Sequence, residues 1–162
     1  MGEIISLNDL LSLRENLKKS GKTLVFTNGI FDLVHRGHLE LLNKAKRLGD
    51  VLIVGINSDA SVRRNKGPKR PIISQDDRAF MLANLAPVDY VVIFEEDTPY
   101  ELIGQLMPDV LVKGADYSVE QIIGHDIVLG YGGKVVSIPL VHGRSSTKII
   151  NQILGKYSES EE

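Results

Sequence analysis

The chain has 162 residues, a length typical of one domain, and its 43% hydrophobic and 25% charged residues are ordinary for a globular protein. Its formal net charge of -2 disfavours a dedicated nucleic-acid binder, and the lack of cysteine excludes disulfides and thiolate chemistry. An acidic N-terminal segment and the lack of any apolar run near ~18 residues predict a cytoplasmic protein with neither nucleic acid nor membrane as partner.

Short apolar segments alternate with amphipathic helical segments along the chain. Because continuous apolar strands between helices are typical of parallel sheets covered on both faces, the pattern predicts a doubly wound, Rossmann-like α/β fold. We expect one domain over residues 1–162, with a helical extension at 1–22, a disordered acidic tail at 156–162, and five parallel strands in the order 3-2-1-4-5. In chain order, the predicted elements are a helix at 7–19, a strand at 23–27, a helix at 37–48, a strand at 51–56, a helix from Ser74 to about residue 86, a strand at 90–94, a helix from Pro99 to before Pro108, a strand at 110–113, a helix at 119–131, a strand at 135–138 and a helix at 146–154.

Two histidines lie three residues apart where the first of these strands gives way to a helix, in the segment NGIFDLVHRGH. Residues three apart on a helix share a face, and a helix start presents unpaired N–H groups and the positive end of the dipole. His35 and His38 could therefore donate to a triphosphate and stabilise charge developing on phosphorus, with Gly37 leaving room for the ligand. The alternatives are two surface histidines beside a helix cap, or a zinc site, which the lack of a nearby third ligand disfavours.

A second anion site is predicted at the start of the last helix, in the segment GRSST at 143–147. Hydroxyl groups and free N–H groups at a helix start can bind phosphate, and an arginine adds a planar guanidinium suited to it. The alternative is simple helix capping, which needs only one hydroxyl. The residues that would form the site are Arg144, Ser145, Ser146 and Thr147.

Residues 63–70 carry five basic side chains around Gly67 and Pro68 and are predicted to form a polar loop. A mobile lid that closes over phosphates fits this composition. A nucleic-acid patch, which the net charge disfavours, and a plain solvated loop are the alternatives. The bases are Arg63, Arg64, Lys66, Lys69 and Arg70.

Lys113 ends the fourth predicted strand and Asp116 follows it, and the expected strand order brings that strand next to the first, at the same crevice. A turn or cap role is the alternative for Asp116. His125 is interpreted as structural, and Arg78 as either a structural ion-pair partner or a ligand. The chain has neither a P-loop motif nor a G-x-G-x-x-G motif, so a phosphate site here would be histidine-based.

The segment TNGIFDLVHRGH resembles the HxGH signature of the nucleotidyltransferase superfamily, and GRSST resembles its second phosphate motif. Within that superfamily the chain is similar to the adenylyltransferases of heptose biosynthesis over about 23–153, including the blocks GDVLIVGINSDASVRRNKGPKRPI, DYVVIFEEDTP, PDVLVKGADY and IVLGYGGKVV. The resemblance implies the nucleotidyltransferase version of the Rossmann-like fold. It also implies transfer of AMP from ATP to D-glycero-β-D-manno-heptose 1-phosphate, giving ADP-heptose and pyrophosphate for lipopolysaccharide core synthesis.

The resemblance further implies roles for individual residues. Catalysis on the phosphates would fall to His35, His38 and Lys66. The nucleotide would be bound by Asn28, Gly29, Ile30, Phe31, Gly37, Asp116, Arg144, Ser145, Ser146 and Thr147. The sugar phosphate is expected at Asp59, Lys69, Arg70 and Lys113. Two departures from the family pattern are Ile30, which stands where the heptose family usually has cysteine, and His142, which stands where an acid is common.

The implied partners are ATP, a sugar phosphate and a second copy of the chain in a homodimer. Mg²⁺ is expected to arrive with ATP, because the sequence shows no carboxylate cluster for a metal site of the protein's own. A separate heptose 7-phosphate kinase is expected in the same pathway. The alternatives are a cytidylyltransferase for glycerol 3-phosphate or a similar alcohol phosphate, and a nucleotide-binding regulatory module without catalysis.

Overall fold

A six-stranded parallel sheet forms the centre of the molecule. The computed structural model describes residues 1–114, 118–139, 143 and 145–158. Within them the strands lie in the order β1-β4-β3-β2-β5-β6, and each pair of neighbours is parallel. The strands are β1 (Glu3–Ile4), β2 (Leu24–Gly29), β3 (Val51–Asn57), β4 (Tyr90–Phe94), β5 (Val110–Gly114) and β6 (Lys134–Ile138).

The order β4-β3-β2-β5-β6 confirms the predicted arrangement of five strands, and β1 is an addition to it. The segment 1–22 was expected to be a helical extension, but its first residues pair with the edge of β4, where the Ile5 N–H donates to the Val91 carbonyl at 2.9 Å. A strand of two exposed residues has too short a pattern to be recognised in the sequence.

Helices connect the strands on both faces of the sheet. They are α1 (Leu7–Lys19), α2 (Arg36–Lys46), α3 (Asp59–Lys66), α4 (Gln75–Ala83), α5 (Tyr100–Leu106), α6 (His125–Gly130) and α7 (Ser146–Tyr157), with a 3-10 turn at Val119–Gln121. No helix in the described part of the chain is long and apolar enough to cross a membrane.

Three helical predictions need correction. The segment 63–70, expected to be a loop, begins inside α3, which Ser58 caps by accepting from the Ser61 N–H. The helix expected at 119–131 is broken, because Gly124 adopts a φ of 86° and an added Cβ there would lie 2.7 Å from Ile103 Cδ1. Helix α7 continues to Tyr157, into the segment 156–162 that was expected to be a disordered tail.

The core has two layers, one on each face of the sheet. Consecutive residues of a strand point to opposite faces, so Val25 packs among Leu42 and Leu82 while Phe26 packs among Leu10 and Leu106. This two-sided burial is the physical reason that the strands are continuous apolar runs. It also leaves the carboxyl ends of the strands as the place where polar side chains can gather.

Candidate active site

A crevice lies at the carboxyl ends of the strands, beside the point where the strand order reverses between β2 and β5. It consists of two adjoining cavities, of about 260 and 500 Å³. Both cavities are lined by Asn28, Gly29, Phe31, His38, Lys113 and Ser146. The strand order therefore brings residues that are far apart in sequence into one site.

The turn after β2 forms the floor of the crevice. Phe31 adopts a φ of 52°, an uncommon conformation for a bulky residue, and its ring is buried. A Cβ on Gly29 would lie 2.9 Å from that ring, so only glycine fits there. Ile30 lines the larger cavity, and its carbonyl accepts a hydrogen bond from Arg78 at 2.7 Å. Arg78 thus holds the turn on the side away from the crevice, and the other side of the turn faces the crevice.

His35 and His38 flank the start of α2, and both line the crevice. Their rings stack with centroids 3.9 Å apart, and the His38 ring lies 5.0 Å from that of Phe31. Nδ1 of His35 accepts from the Gly37 N–H at 3.1 Å, and Nδ1 of His38 accepts from the His35 N–H at 3.3 Å. A neutral imidazole that accepts at Nδ1 carries its proton at Nε2, so each ring is set up as an Nε2–H donor.

Electrostatics keep His38 neutral. Burial, and to a lesser degree the charge of neighbouring His35, lower the pKa of His38 from 6.5 to about 4. A neutral donor can bind a phosphate oxygen without giving up a proton to it. The site therefore favours stabilisation of negative charge over acid catalysis by His38 at neutral pH.

The low pKa of His38 makes the stability of the free protein depend on pH. An unfolded histidine titrates near 6.5, so between pH 6.5 and about 4 the unfolded chain binds a proton that folded His38 does not. The free energy of unfolding should fall as pH falls through this window, and His38→Asn should remove that part of the slope. Urea unfolding of both proteins at pH 7 and pH 4.5 measures this change in the free energy of unfolding. An equal change in the two proteins would contradict the low pKa of His38.

The start of α7 closes one side of the crevice. Ser145 caps the helix by accepting from the Lys148 N–H at 3.1 Å, and Ser146 donates to the Leu33 carbonyl at 3.1 Å. Both line the smaller cavity, whereas Thr147 is exposed and lines neither. The hydroxyl of Ser145 therefore caps the helix, whereas the hydroxyl of Ser146 joins α7 to the loop before His35. Arg144 and Asp116 lie outside the described residues.

The predicted basic loop divides into parts with different partners. Lys66 and Arg70 line the larger cavity, whereas Lys69 does not line either cavity. Arg70 Nε donates to the buried carboxylate of Asp32, so this side chain is anchored rather than free to close over a ligand. Arg64 instead pairs with Asp97 at 2.6 Å. Only residues 67–70, after the end of α3, have the loop conformation that was predicted for the whole segment.

Asp59 does not take the position expected for a sugar contact. It lies in the first turn of α3, and its Oδ1 accepts from Arg78 Nη2 at 2.8 Å. It lines neither cavity. Arg78 is fully buried and is a structural ion-pair partner, the first of the two roles considered for it.

Lys113 reaches the crevice from the end of β5. Its Nζ donates to the Asn28 carbonyl at 3.1 Å and lies 3.4 Å from Asn28 Oδ1. Among the ion pairs of the described residues none includes Lys113. Burial lowers the pKa of Lys113. A partly buried amine that faces a cavity and has no carboxylate partner in the described part of the chain is suited to bind an anionic group.

Sequence reasoning missed two features of the site. Asp32 is buried and accepts from the N–H groups of Ile72 and Ile73, both at 2.8 Å, as well as from Arg70. Burial alone would raise the pKa of Asp32, but these hydrogen bonds hold it below its usual value. The second feature is a polar wall formed by Asn65, Asp97 and Thr98 in the larger cavity. The position of Asp32 within the motif FDLVHRGH could have identified it, whereas no local sequence pattern indicates the polar wall.

The donors of the crevice are imidazole, ammonium, amide and hydroxyl groups. The described residues contain no group of three His, Asp or Glu side chains placed to hold a metal ion. Groups that donate hydrogen bonds suit phosphate oxygens, whereas Mg²⁺ prefers several oxygen ligands.

Comparison with known proteins identifies similar sequences over nearly the whole chain. Residues 26–152 match the family described as cytidylyltransferase-like. The bifunctional protein HldE of Syntrophotalea carbinolica is 56% identical over 154 residues, which are 95% of this chain and 31% of that protein. The bifunctional protein HldE of Geobacter metallireducens is 55% identical over 157 residues, 97% of this chain and 32% of that protein. The chain thus spans about a third of the length of these curated relatives.

Solved structures show the same architecture. A lipopolysaccharide core biosynthesis protein from Thermoplasma volcanium has a TM-score of 0.60 and 26% identity, covering 75% of this chain and 98% of that one. A pantoate–β-alanine ligase from Francisella tularensis has a TM-score of 0.62 and covers 96% of this chain and 78% of that one. At 19% identity the second likeness concerns the fold alone.

Proposed function

Because the chain belongs to the cytidylyltransferase-like family, we propose that it transfers AMP from ATP to D-glycero-β-D-manno-heptose 1-phosphate, giving ADP-heptose and pyrophosphate. The observation that carries the proposal is the pair of histidines at the start of α2, whose Nδ1 atoms accept from backbone N–H groups, on the wall of a crevice that also holds Lys113. The choice of acceptor is supported by the identity above 50% to proteins named HldE and by a structural neighbour described as a lipopolysaccharide core biosynthesis protein.

The proposed reaction is an in-line displacement at phosphorus. An oxygen of the sugar 1-phosphate attacks the α-phosphorus of ATP, a new P–O bond forms, and the bond to the β-phosphate oxygen breaks as pyrophosphate leaves. The attacking oxygen is already anionic, so no general base is needed. His35 and His38 donate to the phosphate oxygens on which charge develops, and the turn at Asn28–Phe31 positions the nucleotide.

Other components of the reaction follow from its substrates. Mg²⁺ bound to ATP supplies positive charge that neutralises the triphosphate. A heptose 7-phosphate kinase acting earlier in the same pathway prepares the acceptor. ATP and sugar phosphates are metabolites of the cytoplasm, which is the compartment we propose for the enzyme.

A product assay tests this function directly. Purified protein is offered ATP or CTP together with heptose 1-phosphate or glycerol 3-phosphate, and products and pyrophosphate are quantified. We expect ATP to be preferred over CTP, and heptose 1-phosphate over glycerol 3-phosphate, each by more than about tenfold in kcat/KM, or about 1.4 kcal/mol. Faster formation of CDP-glycerol would contradict the acceptor and nucleotide assignment, and lack of pyrophosphate release with every pair would favour a regulatory module.

Lys113→Met should raise stability and lower activity together. The substitution replaces a partly buried amine that has no ion-pair partner among the described residues with an apolar side chain of similar length, which should increase the melting temperature. Loss of a charge-assisted bond to substrate phosphate should lower kcat/KM by about 10- to 100-fold. Lys44→Met, on the exposed face of α2, is the matched control. A variant with lower stability or unchanged kcat/KM would refute the role of Lys113.

A homodimer is also part of the proposal. Large apolar side chains are exposed on two helices, with Phe80 65% exposed on α4 and Tyr157 72% exposed on α7, and a second copy could cover them. We expect light scattering at micromolar concentration to give the mass of a dimer; a monomer mass would contradict this part.

A further inference from the structure

The loop at residues 95–99, between β4 and α5, has no role in the function proposed above. Asp97, Thr98 and Pro99 of this loop line the larger cavity together with Asn65 from α3. The strand order β4-β3-β2-β5 separates the ends of β4 and β5 by three strand spacings, roughly 14 Å. The loop therefore borders the larger cavity from the β4 side, and its last residue, Pro99, also lines a small adjoining cavity with Lys113.

Polar side chains of α3 and its cap hold this loop in place. Helix α3 has only one large buried apolar residue, Val62, so most of its side chains serve other contacts. The hydrogen bonds run from Ser58 Oγ to Glu95 Oε2 at 2.7 Å, from Ser61 Oγ to the Glu96 carbonyl at 2.7 Å, from Arg64 Nε to Asp97 Oδ1 at 2.6 Å, from Arg64 Nη2 to the Glu95 carbonyl, and from Asn65 Nδ2 to the Asp97 carbonyl at 2.9 Å. The position of the Asp97 backbone and carboxylate is thus set before any ligand binds.

The charge of Asp97 shows which part of a ligand can lie beside it. The other charged side chains of the larger cavity are the cations Lys66, Arg70 and Lys113 and the carboxylate of Asp32, which is already bound by Arg70 and by two backbone N–H groups. A carboxylate close to a phosphate would raise the energy of the complex by repulsion. A carboxylate accepts readily from hydroxyl groups, however, and does so with charge-assisted hydrogen bonds. The end of the crevice at Asp97 is therefore suited to the uncharged, hydroxyl-bearing part of a substrate.

We propose that Asp97, with Asn65 and Thr98, binds the hydroxyl groups of the acceptor sugar and is a specificity-determining residue of the enzyme. The inference rests on the proposed function and deepens it. Asn65 keeps its Oδ1 as an acceptor when Nδ2 donates to the Asp97 carbonyl, and the Thr98 hydroxyl can both donate and accept. The three groups favour a polyhydroxylated sugar phosphate over a short alcohol phosphate, which has fewer hydroxyl groups to offer them.

Asp97→Asn tests the proposal, because it removes the charge and keeps the shape of the side chain. We expect the KM for heptose 1-phosphate to rise about tenfold or more, as for loss of a hydrogen bond to a charged group, with the KM for ATP changed by less than about twofold. The preference for heptose 1-phosphate over glycerol 3-phosphate should fall by the same factor. Glu96→Gln is the matched control, since Glu96 is an exposed neighbouring acid that does not line the cavity.

Thr98→Val provides a second variant that leaves the ion pair with Arg64 intact. It should raise the KM for heptose 1-phosphate in the same direction, by about fivefold, and it decides the matter if thermal melting shows that Asp97→Asn does not fold. An unchanged KM for heptose 1-phosphate in a folded variant, or an increase confined to the KM for ATP, would overturn the proposal. Wild-type protein that forms no ADP-heptose contradicts the proposed function and this role with it, whereas an active wild type with an unaffected variant contradicts this role alone.

Discussion

His38→Asn should fold as stably as the wild type at pH 7 and turn over about 10²- to 10³-fold more slowly. The His38 ring has two functions that sit on different nitrogens. Nδ1 accepts from the His35 N–H at the start of α2, and Nε2–H faces the crevice as a donor. The Oδ1 of asparagine can take over the first function, but no atom of asparagine reaches the position of Nε2. Removing one preorganised donor to a developing charge typically costs this much in kcat.

Two further variants separate binding of phosphate from capping of the helix. His38→Gln places an amide near the position of Nε2 and should recover part of the rate while losing stability at the cap. Lys44→Ala, on an exposed turn of the same helix, should leave both quantities unchanged. Steady-state kinetics at saturating ATP and thermal melting give the two readouts. If His38→Asn kept more than half of the wild-type rate, His38 would not be the donor described here.

The positions of the strands, and the common location of His38 and Lys113, could be predicted from the sequence. Strands such as 51–56 are buried on both faces and are therefore continuous apolar runs, which stand out from the amphipathic helices between them. Once the sheet order is known, the carboxyl ends of β2 and β5 must meet at one edge. His38 follows β2 and Lys113 lies next to the end of β5, so their common location comes from the topology.

Helix α3 and the contacts that it makes could not be predicted in the same way. Its sequence DASVRRNK lacks an apolar stripe, because its polar side chains bond to the loop after β4 instead of covering a core. Arg70 was expected to bind phosphate, but its partner Asp32 is 38 residues away in sequence. Pairings of this kind depend on which loops share the edge of the sheet, and local patterns carry no signal for them.

Arg78 is another example of a long-range contact at this edge, and it joins three loops. Its guanidinium is fully buried and donates to the carbonyls of Ile30 and Asn57, at 2.7 and 2.9 Å, and to Asp59 at 2.8 Å. Its Nε donates to the Ile73 carbonyl at 3.0 Å. Arg78 therefore positions the turn after β2 from behind, and we class it as a positioning residue because it does not line the crevice.

Arg78→Met should lower the free energy of unfolding by about 3–5 kcal/mol, because it leaves Asp59 without its buried partner and three carbonyls without donors. The molecules that remain folded should also lose kcat, since the Ile30 carbonyl is no longer fixed. Arg14→Met is the matched control. Arg14 is likewise buried and pairs with Asp109 at 2.8 Å, but at the amino ends of the strands, away from the crevice. It should lose comparable stability and keep its activity per folded molecule. Urea unfolding and kinetics below the unfolding transition distinguish the two variants, and equal retention of kcat in both would show that Arg78 supports the fold without positioning the site.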